Sequence, residues 1–194
     1  CPPGKFICID LNSFLFNKTY ECFDDIFLDQ GALIDDYWSS FPLLNQSEVL
    51  VEDFNQASLR LEDIISKSVK DQLISDMPIG AFLSGGIDSS LITALMQKEN
   101  MDKVKTFTIG FEDKRYDESS YAREVANHLG TNHTELILSQ DDVINIIPNL
   151  SKIYSEPFAD SSQIPTLLVS KLAKSEVSVA LSGDGGDELF GGYN

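Results

Sequence analysis

The chain of 194 residues is short of histidine (two), tryptophan (one) and cysteine (three), and its 14 lysines and arginines are outnumbered by 31 acids. Each shortage excludes something. Cys1, Cys8 and Cys22 all fall near the start with no histidine beside them, so neither a zinc cage nor a paired disulfide framework is expected, and a reducing cytoplasm is the expected compartment. A formal net charge of −17 makes non-specific attachment to nucleic acid or anionic lipid unfavourable, because the summed field repels polyphosphate. No apolar run reaches transmembrane length, and the opening CPPGKFICID has neither the basic segment nor the cleavage pattern of a signal peptide. Repeats and low-complexity stretches are missing too. The two histidines, His128 and His133, flank Gly130 at an expected helix end and strand start with no third ligand nearby, so they are read as structural or solvent-facing. What remains is ordinary globular composition, 42% hydrophobic, at a length that suits one domain or a domain plus a fragment.

The most informative stretch runs from Met77 to Leu95, MPIGAFLSGGIDSSLITAL. Ile79 to Leu83 is a short apolar run suited to a buried strand. It breaks at Ser84-Gly85-Gly86, and a helical pattern follows with Leu91, Ile92 and Leu95 expected on one side. Strand, glycine turn and helix start together form an anion site: paired glycines let amides turn toward a ligand, and Ser89 and Ser90 add hydroxyls where the helix presents its unpaired N–H groups. Asp88 in the same turn would repel a phosphate chain unless it held a divalent cation, for which magnesium fits best. The stretch lacks the Walker pattern and its lysine, so attack elsewhere than at a terminal phosphate is expected. SGGIDSS resembles the pyrophosphate loop of the ATP pyrophosphatases, or adenine nucleotide alpha hydrolases, which the resemblance implies cleave ATP between its α and β phosphates and adenylate a substrate.

Around this loop, strands and helices alternate. Lys5 to Asp10 and Leu11 to Tyr20 read as a hairpin, and Asp35 to Pro42 as an exposed connector. From Ser47 to Asp76 apolar residues recur at near-helical spacing, as one long helix or two, with Pro78 as the stop. Val104 to Phe111 reads as a strand, Asp117 to Leu129 as a helix, Thr134 to Leu138 as a strand, Asp141 to Tyr154 and Ile164 to Ser175 as helices, and Val177 to Leu181 as a strand. This alternation predicts an α/β fold, a Rossmann-like parallel sheet with helices on both faces and ligand at the carboxyl ends of the strands. Residues 1–54 are taken as the tail of a preceding domain and 55–194 as the ATP-binding domain. Glu112-Asp113-Lys114-Arg115 is read as a solvated loop before a cation that reaches phosphate, and Glu156 to Ser162 either lines an acceptor pocket or caps the next helix.

The last strand runs into Ser182-Gly183-Asp184-Gly185-Gly186-Asp187-Glu188-Leu189-Phe190-Gly191-Gly192-Tyr193, which is neither a dinucleotide fingerprint nor a calcium loop. Together with SGGIDSS it resembles the SGEGSDE-FGGY segment in the synthetase half of class B, glutamine-hydrolysing asparagine synthetases, and VKTFTIGF and EVANHLGTNHTE are similar to that family as well. The resemblance covers about residues 55 to 194. It implies β-aspartyl-AMP formation from aspartate and ATP, followed by displacement of AMP by ammonia from glutamine.

Carried over by position, Ser84, Gly85, Gly86, Asp88, Ser89 and Ser90 would cradle pyrophosphate, and Leu83, Ile109, Ser182 and Gly183 would border adenosine. Asp88 and Asp187 would hold Mg2+. Asp184 stands where the asparagine makers usually carry glutamate, an acid implicated in handling the acceptor or the attacking amine, and where their β-lactam-forming cousins carry an aromatic hydroxyl. The shorter acid leaves the acceptor open. Cys1, followed by Pro2 and Pro3, is read as the start of a cut fragment rather than as a glutaminase nucleophile. The family's glutaminase domain and its later helices, with the lysine that grips departing pyrophosphate, fall outside these residues, so the piece is expected to bind ATP without turning over. A homodimer, a non-catalytic ATP-binding module and another adenylating relative, β-lactam-forming, tRNA-modifying or NAD-forming, stay open as alternatives.

Overall fold

The computed structural model describes residues 5–10, 32–36, 53–155 and 160–192, and the chain divides into two compact units, Cys1–Asp53 and Phe54–Asn194. In the first, strand β1 (Lys5–Ile9) pairs antiparallel with β2 (Ala32–Asp36). Lys5 Nζ lies 2.7 Å from Asp36 Oδ1 across the end of the ladder, an exposed pair that adds little stability but helps fix register. The second hairpin strand expected at 11–20 lies outside the described residues. Asp35 and Asp36, read as the start of a connector, belong instead to β2, because backbone ladder bonds do not depend on side-chain polarity and Asp36 has Lys5 opposite it.

In the second unit the order is α1 (Phe54–Gln72), β3 (Ile79–Phe82), α2 (Ile87–Glu99), β4 (Lys105–Phe111), α3 (Ser119–Leu129), β5 (Asn132–Leu138), α4 (Gln140–Ile146), a 3-10 turn (Ile147–Asn149), α5 (Leu150–Ile153), α6 (Gln163–Ala173), β6 (Val179–Leu181) and α7 (Gly186–Phe190). Strands β3 to β6 form one parallel sheet in the order β5-β4-β3-β6. The chain winds outward from β3 in one direction through β4 and β5, then returns to the other side of β3 as β6. That reversal is the topological switch of a Rossmann-like α/β sheet, and its crevice opens at the carboxyl ends of the strands. No helix among the described residues is long and apolar enough to cross a membrane.

Successive residues of a strand point to opposite faces, and both faces of this sheet are covered. Ala81 of β3 packs with Val69 of α1, Leu95 and Met96 of α2 and Val104, and Leu83 on the same side meets Ala122 and Ala126 of α3. Phe107 of β4 and Phe82 face the other way, against Val169, Leu172 and Ala173 of α6 and Val177. Gly80 permits this second layer: a Cβ there would sit 2.8 Å from the Phe107 ring and 2.9 Å from the Lys105 carbonyl oxygen. The facing expected of α2 holds for Ile92 and Leu95, which pack on the core, but not for Leu91, which is 41% exposed; Thr93 and Met96 complete the interior side, since a helix with apolar residues on several sides does not disclose its buried face by spacing alone. The helix expected over Asp141 to Tyr154 is interrupted at Pro148, which has no N–H to continue the ladder, and the chain passes through the 3-10 turn.

Beneath α3, at the amino end of β4 and β5, lies a small polar cluster. Thr106 Oγ1 is 3.0 Å from Thr131 Oγ1 and 2.9 Å from His133 Nδ1, and His133 Nε2 is shielded from solvent with no hydrogen-bond partner among the described residues. Burial pushes the His133 ring below the ordinary histidine value; Glu135 opposes the shift and Arg123 adds to it. A base whose folded pKa is lowered binds its proton more readily in the unfolded chain. Its contribution to stability is therefore intact above the unfolded value near 6.5 and is lost as pH falls through that value toward the lower folded one. Stability measured by urea unfolding is expected to fall between about pH 7 and about pH 5, before the carboxylates titrate, and His133→Asn is expected to flatten that segment of the curve.

Candidate functional site

The first glycine loop is built from the end of β3. Leu83 extends the ladder, its amide donating to Phe107 O at 3.0 Å and its carbonyl accepting from the Thr108 hydroxyl. Its side chain is buried against α3, so Leu83 offers a ligand backbone rather than side chain. Ser89 is the internal brace of the loop: its hydroxyl accepts from the Ser84 amide at 3.2 Å, lies 2.9 Å from Ser84 Oγ and donates to Gly86 O at 3.3 Å. Ser84 Oγ in turn accepts from the Gly86 amide. Gly85 has φ of 85°, and no side chain caps α2 at Gly86, so the first amides of that helix are left without an internal acceptor beyond the loop. Ser90 Oγ is shielded and has no hydrogen-bond partner among the described residues; to meet a ligand it must change rotamer.

The second loop follows β6, the strand directly beside β3, with Ala81 opposite Leu181. The two loops touch. A Cβ on Gly183 would fall 2.7 Å from the Ser89 amide nitrogen, and one on Gly186 would fall 2.6 Å from Asp88 Cγ. Asp88 in the first turn of α2 therefore shares a rim with Asp187 in the first turn of α7. The closing glycines serve the same end: Gly191 and Gly192 donate to Asp187 O at 2.8 and 3.1 Å, and a Cβ on Gly192 would meet the Asp187 carboxylate and turn it from its present position. Asp184 is exposed, its Oδ2 accepting from Ser182 Oγ at 3.0 Å. Ile109 is half-buried and lies, by the alternation of β4, on the Phe107 face of the sheet.

Beside these loops, at the carboxyl ends of β4 and β5, a cavity of 780 Å³ is lined by Phe111, Leu138, Val143 and Ile164, with Ser161 and Ser162 among its polar groups. Arg115 also borders it, but its guanidinium is held by Asp113 at 2.6 Å and lies 5.6 Å from the Tyr116 ring centre. Asp160 accepts from the Ser162 amide at 2.8 Å, just ahead of α6, but no side chain caps that helix, and of the segment 156–162 it is Ser161 and Ser162 that border the cavity, residues 156–159 lying outside the described residues. Sequence reasoning missed Phe111, Leu138 and Val143 as cavity walls, and missed the first turn of α3, where Tyr121 and Ala122 press on Gly85: a Cβ there would meet Ala122 N and Tyr121 Cβ, each at 2.6 Å. Asp117-Glu118-Ser119 before α3, an acid two residues ahead of a serine, was the available signal.

Among the described residues no three His, Cys, Asp or Glu side chains gather as a metal cage. Magnesium seldom uses one, since one or two carboxylates with substrate phosphates and water complete its shell, and Asp88 and Asp187 suit that donor set.

The asparagine synthase family model matches residues 60–194. The chain belongs to the asparagine synthase family. Among its relatives, a putative glutamine-hydrolysing asparagine synthetase 2 of Methanocaldococcus jannaschii is 46% identical over 131 residues, covering 67% of this chain and 25% of that protein. The glutamine-hydrolysing asparagine synthetase 1 of Bacillus subtilis is 40% identical over 153 residues, covering 79% of this chain and 23% of that protein. The chain thus spans about a quarter of the length of the relatives it matches. Among solved structures, an NH3-dependent NAD synthetase from Campylobacter jejuni aligns with a TM-score of 0.47 at 19% identity, covering 74% of this chain and 62% of that one.

The contact of Gly85 with α3 leads to a measurable consequence. Gly85→Ala places a Cβ in the left-handed region and against backbone of α3, and is expected to lower the free energy of unfolding by about 2 kcal/mol or more in urea titration.

Proposed function

We propose that this chain is the ATP-binding part of an amide-forming ligase that adenylates a carboxylate, with aspartate as the acceptor and β-aspartyl-AMP as the intermediate. One observation carries the reading: two glycine loops from neighbouring parallel strands lie in contact at one rim, with acids in the first turns of the helices that follow. Membership of the asparagine synthase family supports the choice of reaction.

In this reading the triphosphate lies over Ser84, Gly85 and Gly86, where loop amides and the uncapped start of α2 offer N–H donors. Ser89 holds the loop rather than the ligand, and Ser90 is the reserve hydroxyl. The backbone of Leu83, with Ile109, Ser182 and Gly183, borders adenosine. An acceptor carboxylate oxygen attacks the α phosphorus, the bond from that phosphorus to the bridging oxygen breaks, and pyrophosphate leaves. Ammonia derived from glutamine then attacks the acyl carbon and AMP departs. Each well-placed donor to the developing charge contributes about 3 to 4 kcal/mol to such a step.

Magnesium, held by Asp88 and Asp187, would supply charge neutralisation to the phosphates. Asp184, exposed beside Ser182, is the group we assign to the acceptor or the incoming amine, and the cavity bounded by Phe111, Leu138 and Ser162 is the acceptor's approach.

Exchange of labelled pyrophosphate into ATP by the intact enzyme tests this. Aspartate alone among a panel of carboxylates is expected to support exchange, and Asp88→Asn is expected to lower it by about a hundredfold or more. Exchange undiminished in that variant removes the metal assignment. ATP binding with no carboxylate-dependent exchange replaces the reaction with a binding role.

A further inference from the structure

The phosphate loop does not hold its own shape unaided. Its least replaceable residue, Gly85, rests on the first turn of α3, and the position of that turn is fixed from elsewhere. Asp117 Oδ1 accepts two amides at once, from Phe111 at the carboxyl end of β4 at 3.2 Å and from Ser119 at the start of α3 at 3.1 Å. Gly110 makes room for this carboxylate, since a Cβ there would fall 2.8 Å from Asp117 Oδ1 and 2.8 Å from Ser119 Cβ. Ser119 is 1% exposed, and its side chain helps hold both the Asp117 and the Glu135 carboxyls below their ordinary values. Glu135 of β5 is gripped in turn by Arg123 of α3 through two bonds, of 3.0 and 2.7 Å.

From this geometry we infer that Asp117 is a positioning residue for the pyrophosphate loop: it ties the end of β4 to the start of α3 and so sets the surface against which Gly85 is seated. The inference rests on the nucleotide reading above but acts through α3 alone, without touching the ligand. A helix cap whose role ended at its own helix would need only the Ser119 amide. The second bond, to Phe111, reaches back to the strand beside β3, and it is this bond that makes helix and sheet edge one body. The Asp117 carboxyl is held below the usual carboxylate range: burial acts to raise it, and the Ser119 hydroxyl and amide, the Phe111 amide and Arg123 together outweigh burial.

The test compares Asp117→Ala, Asp117→Asn and Val169→Ala in the full chain. Val169 of α6 packs in the core on the opposite face of the sheet from α3, so its replacement lowers stability without loosening the clamp. Two readouts are taken below the unfolding transition: hydrogen exchange of the peptide covering residues 83–90 without ligand, and calorimetric binding of magnesium ATP. Asp117→Ala is expected to speed exchange in that peptide and to weaken ATP roughly tenfold, Asp117→Asn, which keeps the acceptor oxygen, to restore both within about threefold, and Val169→Ala to change neither. Loop exchange in Asp117→Ala no faster than in the parent chain overturns the inference, as does an equal effect of Val169→Ala. Failure of the parent chain to bind ATP counts against the proposed function, and ligand-free exchange still decides the clamp.

Discussion

The structure depends on a close approach of two backbones. In a parallel sheet every strand ends on the same rim, and β6 beside β3 brings together two loops far apart in the chain. Whether they can touch is then a question of Cβ atoms. At Gly183 and Gly186 there are none, and the space is taken by the Ser89 amide and the Asp88 carboxylate. A side chain at Gly183 would meet the backbone of Asp88 and Ser89, a cost no rotamer change relieves, whereas one at Gly186 would push the Asp88 carboxylate out of its place on the rim.

The same contact answers an electrostatic difficulty. A chain of net charge −17 repels a nucleotide at long range, and local donors must therefore do the attracting. The arginines nearest the rim are already engaged: Arg115 with Asp113, and Arg123 with Glu135. Side-chain cations of that kind hold the scaffold. What faces the crevice is the start of α2 with no side-chain cap and a loop whose serine hydroxyls are turned inward upon one another. Such a site attracts through its amides rather than through side-chain cations, and in the proposed function the acids beside it would take a divalent ion in place of a lysine.

Much of this was legible beforehand because it is written in short range. The β-branched and apolar runs around Ile79 and Thr106 mark strands, and the glycine pairs at 85–86 and 185–186 mark turns that only a close approach would need. Three features resisted. The pairing of β1 with β2 is not legible, because the adjacent Leu11 to Tyr20 offers itself as the hairpin partner and pairing with a more distant strand has no local signature. In α2 the apolar residues Leu91, Ile92, Leu95 and Met96 cover more than one side, and only packing against α1 and β3 selects which is buried. The double bond of Asp117 was hidden for a different reason. The sequence reads Asp117 as the first residue of a helix, but the second amide it accepts belongs to Phe111 on the preceding strand, and its proximity is a product of the fold.

Seen along its axis, α3 connects two distant polar regions. Its first turn bears on Gly85, while its last turn offers the Ala126 carbonyl to the Thr131 amide at 3.1 Å, and Thr131 leads through Thr106 to His133. Eleven residues of helix span about 16 Å, against about 23 Å for the seven-residue strands β4 and β5. A helix of this length, packed by Ala122 and Ala126 flush against Leu83, has little freedom to shift at one end alone, because alanines leave no side chain to reorganise. The His133 cluster and the seat of Gly85 therefore bear on opposite ends of one short helix, and the Asp117 and Arg123 bonds tie its amino-terminal half to β4 and β5.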